Sequence, residues 1–233
     1  MKFLPIKISW FAEKLQNKEV FSFVRYGDGE WRCILGYKGK NCDKHEYFPR
    51  LRVDLSKAVC SNKDMVFGIQ NMSIRNMIGE IGPFLKKHNI NRKWYDSDIL
   101  HRANCNGNLY SFIKSLSEHK VAIIGPDHIR KSGIKFHHFV SVPKVNCYLK
   151  VDGIYKRTLD AAKECSVFLF CASMTSNVLM DRLFDVVGDR ISMIDCGSIF
   201  DPYSGILSRG IYRSEKFNVE KMRSINILGE SYG

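Results

Sequence analysis

Short apolar runs, separated by stretches with helical spacing, limit what this chain can fold into. Residues 20–26, 65–69, 121–124, 136–142, 167–172 and 191–194 are rich in β-branched and aromatic side chains and read as strands. Between them, Ile74, Met77, Ile78, Ile81 and Leu85 fall close to one helical face. Leu109, Phe112, Ile113 and Leu116 end a second helix, 158–165 closes a third, and 178–187 forms a fourth that stops at Gly188. Continuous rather than alternating apolarity suggests a strand covered on both faces. Strand and helix in alternation imply parallel strands joined by crossover helices. The expectation is an α/β fold, a Rossmann-like three-layer sandwich with a mostly parallel sheet.

At 233 residues one domain is the default. No repeat, low-complexity tract or flexible linker divides it. The core is expected at about 20–205, followed by a basic, less patterned tail over 206–233. Loop 38–45 carries three lysines, and 86–93 is a basic helix end and turn. An apolar share of 45% with 12% aromatics is that of a globular chain rather than a disordered one. The longest uncharged stretch, 165–180, is interrupted by Ser166, Ser173, Thr175, Ser176 and Asn177, too short and too polar to span a bilayer. The first residues lack the apolar core and small-residue cleavage site of a signal peptide. Eight cysteines, with no C-x-x-C pair, fit a reducing compartment, most simply the cytoplasm. Lys plus Arg exceed Asp plus Glu by 36 − 24 = 12 charges. A field of that sign gathers nucleotides, nucleic acid, phospholipid headgroups or acidic glycans, or simply keeps the surface soluble.

In an open parallel sheet, ligands bind beyond the carboxyl ends of the strands. Four junctions qualify. The first is Arg25-Tyr26-Gly27-Asp28-Gly29-Glu30, where Gly27 and Gly29 permit positive φ and close approach of a ligand. Asp28 and Glu30, two residues apart, suit a hard divalent cation shared with phosphate, and Arg25 offers a fork of donors to that phosphate. An ordinary capped turn explains the same residues. The second junction holds Asp127 and His128, read as an acid–base pair or, for the histidine, as a structural residue. The third, Ser173 to Asn177, leads a buried strand into a helix. There Ser173, Thr175, Ser176 and Asn177 are read as an anion cradle at a helix N-terminus, one hydroxyl being needed for the cap. The fourth places Asp195 at a strand end before Gly197, with Asp201 beyond, suited to a sugar hydroxyl, a metal or general-base work. No Walker lysine follows any of these turns, which argues against an NTPase.

These residues resemble the GT-D type of glycosyltransferase, a family first catalogued as a domain of unknown function. Its arginine-aromatic-G-D-G-E turn matches Arg25 to Glu30. Its later strand, polar turn and I-D-x-G strand end match 169–178 and Ile194-Asp195-Cys196-Gly197. Its mid-chain arginine corresponds to Arg102. Where the family carries glycine-proline before the threonine of the third turn, this chain has Ser173-Met174. The resemblance spans roughly 20–205. It implies a Rossmann-like fold and sugar transfer from a nucleotide diphosphate donor with retention of configuration. Asp28 and Glu30 would then be the D-x-E motif of the metal and donor site, with Mn²⁺ or Mg²⁺ as cofactor.

Two classes of function follow. One is a glycosyltransferase using an NDP-sugar, UDP favoured. Asp28 and Glu30 serve the metal or donor, Arg25 and the Ser173 turn hold the diphosphate, and Asp195 is preferred over Asp201 and Asp127 as base. Gly27, Gly29, Arg102 and Gly197 complete the nucleotide-binding set, and the acceptor is a glycan, a glycoprotein or nucleic acid. The other is a non-catalytic nucleotide- or nucleic-acid-binding protein. It would use the basic segments with Arg209, Arg213, Lys216, Lys221 and Arg223, and stack bases on Tyr203, Tyr212 and Phe217. Contact of the basic tail with an anionic membrane surface is a third expectation.

Overall fold

The computed structural model describes residues 3–230. Residues 1–2 and 231–233, at the ends of the N-terminal segment and the basic tail, lie outside the described residues, as do the side chains of Met72 and Ile74. The strands are β1 (Ser22–Tyr26), β2 (Val66–Ile69), β3 (Tyr95–Asp96), β4 (Val121–Gly125), β5 (His138–Ser141), β6 (Val167–Phe170) and β7 (Ser192–Asp195). They form one sheet in the order β3-β2-β1-β7-β6-β4-β5, and every pairing is parallel. In register, Phe23 of β1 lies opposite Val66 on one side and Ile194 on the other. All residues of β4, β6 and β7 are buried, as the unbroken apolarity of β4 and β6 requires; β7 buries Ser192 and Asp195 as well.

The helices are α1 (Ile8–Gln16), α2 (Asp28–Ile34), α3 (Pro49–Cys60), α4 (Asn71–Lys87), α5 (Ile99–Cys105), α6 (Tyr110–Leu116), α7 (Val151–Ala161), α8 (Thr175–Val187) and α9 (Val219–Arg223). Alternation along the strands divides the core in two. Val24, Tyr26, Phe168 and Phe170 pack with α2, α3, α4, α7 and α8 on one face. Phe23, Ile123, Val167 and Leu169 pack with α1, α5 and α6 on the other. The three-layer sandwich read from the sequence is thus present, with the sheet wholly parallel. In α4, Met77, Ile81 and Leu85 are buried, while Ile78 is exposed, so its apolar stripe is narrower than the spacing suggested. No described helix is long and apolar enough to cross a membrane, and all eight cysteines are free.

The tail is not a loose appendage. Fully buried Asn226 donates to the Asn104 carbonyl (2.8 Å) and the Tyr203 hydroxyl (2.9 Å) and accepts from the Leu109 amide (2.9 Å). Tyr203, Tyr212 and Phe217 are buried as well, which corrects the expectation that they form a base-stacking surface. The crevice that matters lies between β1 and β7. The chain leaving β1 turns onto one face of the sheet through α2, and the chain leaving β7 turns onto the other. That divergence opens the sheet's carboxyl edge to a ligand.

Candidate active site

Arg25 lies at the floor of this crevice. Its Nε donates to the Ser97 carbonyl (2.9 Å), and the backbone carbonyl of Arg25 accepts from Asn177 Nδ2 (2.6 Å). Its guanidinium runs beside Gly197. A Cβ at Gly197 would stand 2.2 Å from Arg25 Nη1, and φ there is +54°, so both space and conformation call for glycine. Asp195 ends β7, is buried, and accepts from the Gly197 amide (2.9 Å).

The Gly27–Glu30 turn forms the next wall. Gly27 precedes α2, and its amide donates to Glu30 Oε2 at 2.8 Å, the local capping contact that an acidic residue three positions into a helix makes. Neither Gly27 nor Gly29 takes a positive φ, contrary to the reading from sequence. Their requirement is room: a Cβ on Gly27 would meet Glu30 Oε2 at 3.1 Å, and one on Gly29 would meet Asn41 at 3.1 Å. Asp28 projects at the rim, half exposed, 3.8 Å from Arg32, and Glu30 lies deeper.

Burial pushes the Glu30 carboxyl up to about 7, with Asp195 adding to the rise and Arg25 opposing it. Burial pushes Asp195 up to about 6, again against the pull of Arg25. Asp98 is likewise raised by burial and lowered by Arg25. One guanidinium therefore lies among three carboxylates and partly offsets the burial that raises each of them. Among the described residues, no three or more His, Cys, Asp or Glu side chains are grouped to cage a metal ion.

The cleft around these groups encloses about 670 Å³ and is lined by Arg25, Gly27, Asp28, Gly29, Glu30, Ser173, Asp195 and Gly197. The structure thus brings together most of the residues singled out from sequence. Others it places elsewhere. Thr175, Ser176 and Asn177 are buried beneath the cleft and engaged by the protein itself. The Ser176 hydroxyl accepts from the Ala172 amide (3.1 Å), the Thr175 hydroxyl meets Cys147 Sγ (3.0 Å), and Asn177 braces Arg25. They support the floor and do not form the anion cradle expected of them. Ser173 alone faces the opening, at φ +51°, where its Oγ accepts from Asn41 Nδ2 (2.9 Å). Arg102 grips Asp96 with both Nη atoms and does not line the cleft. Asp127 sits outside it, paired with Arg130 (3.3 Å), while its neighbour His128 points in and meets Asp201 (Nε2–Oδ1, 3.0 Å). Asp127 and His128 are therefore not a pair.

Several lining residues went unassigned in the sequence reading: Asn41, Asp43, Gln70, Asp98, His101 and Ser208. Arg209, read as part of a basic tail, also lines the cleft, where it forks onto Asp43 (Nη2–Oδ2, 3.0 Å) and pins loop 38–48 across the opening.

This parallel sheet with its β1/β7 crevice has a counterpart among solved structures. A selenomethionine-substituted structure of a domain of unknown function, DUF1792, superposes with a TM-score of 0.60 over 93% of this chain and 90% of that one, at 17% identity. The fold is that of the DUF1792 domain. The likeness extends over nearly the whole length of both chains. No family model matches the sequence, and no curated protein does. The motif resemblance pointed to a family first catalogued as a domain of unknown function, and the fold leads to a domain so named.

Proposed function

We propose that this chain is a glycosyltransferase that moves a sugar from an NDP-sugar, with UDP as the favoured nucleotide, to an acceptor hydroxyl. The observation that carries the reading is the convergence of Arg25, Asp28, Glu30 and Asp195 in one cleft at the β1/β7 crevice of a DUF1792 fold, the domain of the GT-D glycosyltransferases. In such a site the diphosphate leaves bearing new negative charge, and preorganised cations there supply a large share of the catalysis. Arg25, fixed by Ser97 and framed by Gly197, is the residue to meet that charge. Ser173 and the Gly27–Gly29 backbone border the same space.

The donor set suits a hard cation. Asp28 and Glu30 offer carboxylate oxygens from one turn, and a cation beside them would offset the burial that raises the Glu30 and Asp195 carboxyls. Asp28 and Glu30 are the residues to hold Mn²⁺ or Mg²⁺ together with the diphosphate. Once bound, the ion supplies Lewis-acid stabilisation of the departing phosphate oxygens. Asp195, whose carboxyl sits at about 6, is ionised at neutral pH and basic enough to take the acceptor's hydroxyl proton.

The test is donor turnover and binding. Hydrolysis or transfer of UDP-sugars falls at least a hundredfold in Asp28→Ala and in Glu30→Ala. A thermal-shift screen of nucleoside diphosphates, with and without Mn²⁺, identifies the base by its metal-dependent stabilisation. Near-wild-type turnover in both variants overturns the assignment.

A further inference from the structure

A second cavity, about 880 Å³, adjoins the cleft. Pro126, His128, Val142, Pro143 and Lys144 border both spaces, so the two lie side by side along this edge of the sheet. Its own walls are unlike those of the cleft. Lys144, Lys150 and Arg157 are exposed along it, and Leu149 presents 62% of its surface.

The charge of this groove is not balanced from within. Asp127 and Asp152 also border it, but each is held by cations from outside the lining: Asp127 by Arg130 (3.3 Å), Asp152 by Arg182 (2.8 Å) and Arg50 (3.5 Å). Lys144 and Lys150 make no ion pair among the described residues. Among the described residues Arg157 donates only to the Ser141 carbonyl (2.8 Å), a neutral group that leaves its charge uncompensated. Three cations remain for a ligand. Leu149 adds an apolar wall of the kind against which the C–H face of a sugar ring packs.

We propose that this groove seats an acidic acceptor, a sugar bearing a phosphate or carboxylate. Lys150 and Arg157 hold its anionic group, and the hydroxyl to be modified lies at the His128 seam, facing the donor. This rests on the transferase reading and adds the chemical class of the acceptor to it. The arrangement accounts for the separation of charge on this edge of the sheet: carboxylates crowd the donor cleft, and uncompensated cations line the adjoining groove. A neutral acceptor would have no use for those cations.

Calorimetric titration with glucose 6-phosphate, glucuronate, glucose and inorganic phosphate, without nucleotide, tests it separately from Asp28 and Glu30. Glucose 6-phosphate or glucuronate is expected to bind at least tenfold more tightly than glucose and than phosphate alone. The tighter of the two says which acid the groove prefers. Lys150→Ala with Arg157→Ala is expected to abolish that preference while leaving the melting temperature within a few degrees. Equal binding of acidic and neutral sugars, binding of bare phosphate as tight as that of the sugar acid, or an unchanged preference in the double variant overturns the proposal. A failure at Asp28 and Glu30 leaves this titration readable, so the two readings fall independently.

Discussion

Asp195 shows how the site is held in a costly charge state. Burial raises its carboxyl from 3.8 to about 6, and Glu30 rises from 4.5 to about 7 beside it. A folded chain that keeps these protons longer than the unfolded chain binds more protons between those values. Stability from these groups is therefore present below the unfolded values and is lost as pH rises through the folded ones, over a window of roughly pH 4 to 7. The chain's other titrations overlie this trend, so the comparison with a variant isolates it. Asp195→Asn removes one buried charge and should melt a few degrees above wild type at pH 8, given about 2–4 °C per kcal/mol for a chain of this size. The gain should shrink as pH falls below 6 and vanish only below the unfolded value of 3.8, where Asp195 is protonated in both states. Melting curves across pH, without nucleotide or divalent ion, decide it: a variant that gains nothing at pH 8 rules out the strained carboxylate. Such a gain in stability is expected to be matched by a loss of activity, since strained charge is what a catalytic site retains.

At the level of elements, the sheet was legible because parallel strands buried on both faces write themselves as apolar runs. The strands at 121–125, 167–170 and 192–195 were read within two residues of their ends. Strand β3, two residues long, carries too little pattern to be seen, and helices α1, α3 and α5 were passed over. The turn at Gly27–Glu30 was legible because spacing and composition are local. The third junction was misjudged because hydroxyl side chains at a helix start look the same whether they face a ligand or the interior; only the packing of Ser176 against Ala172 and Asn177 against Arg25 distinguishes them. Loop 38–48 and Arg209 were illegible as a unit, since a fork between residues 166 positions apart leaves no trace in periodicity. The fork and the Asn41–Ser173 contact tie the loop across the cleft, and the Glu46 amide and the His45 ring tie its far end to Asn146. Charge-assisted bidentate pairs of this kind fix geometry more than they add stability. Asp43→Ala should therefore speed tryptic cleavage after Lys38, Lys40 and Lys44 by at least fivefold, while the melting temperature moves by no more than a few degrees. Unchanged cleavage at these lysines would show that the loop is held by something other than Arg209.

The whole molecule closes through its last segment. Residues beyond 205 were set apart in the sequence as a basic tail because their charges carry no helical or strand period. The links that bind them join residues distant in sequence, through the burial of Tyr212, Phe217 and Ile227 and through single polar contacts. Asn226 is the decisive one: its amide reaches Asn104 and Tyr203, its oxygen takes the Leu109 amide, and no part of it meets solvent. This joins the end of the chain to the start of α6 and to the 3-10 turn after β7, against the core layer that also holds α1 and α5. Asn226→Ala strands the Leu109 amide and the Asn104 carbonyl in a dry interior, at about 1–3 kcal/mol for each unsatisfied group. A total of roughly 2–6 kcal/mol corresponds to a fall of about 4–24 °C in melting temperature. The fall should appear as one shifted cooperative transition, because a tail built into the core has no separate melting step. Calorimetry distinguishes the cases: a second, earlier transition, or a shift under 2 °C, would return residues 206–230 to the status of an appendage and leave the cleft's Arg209 wall anchored only through Asp43.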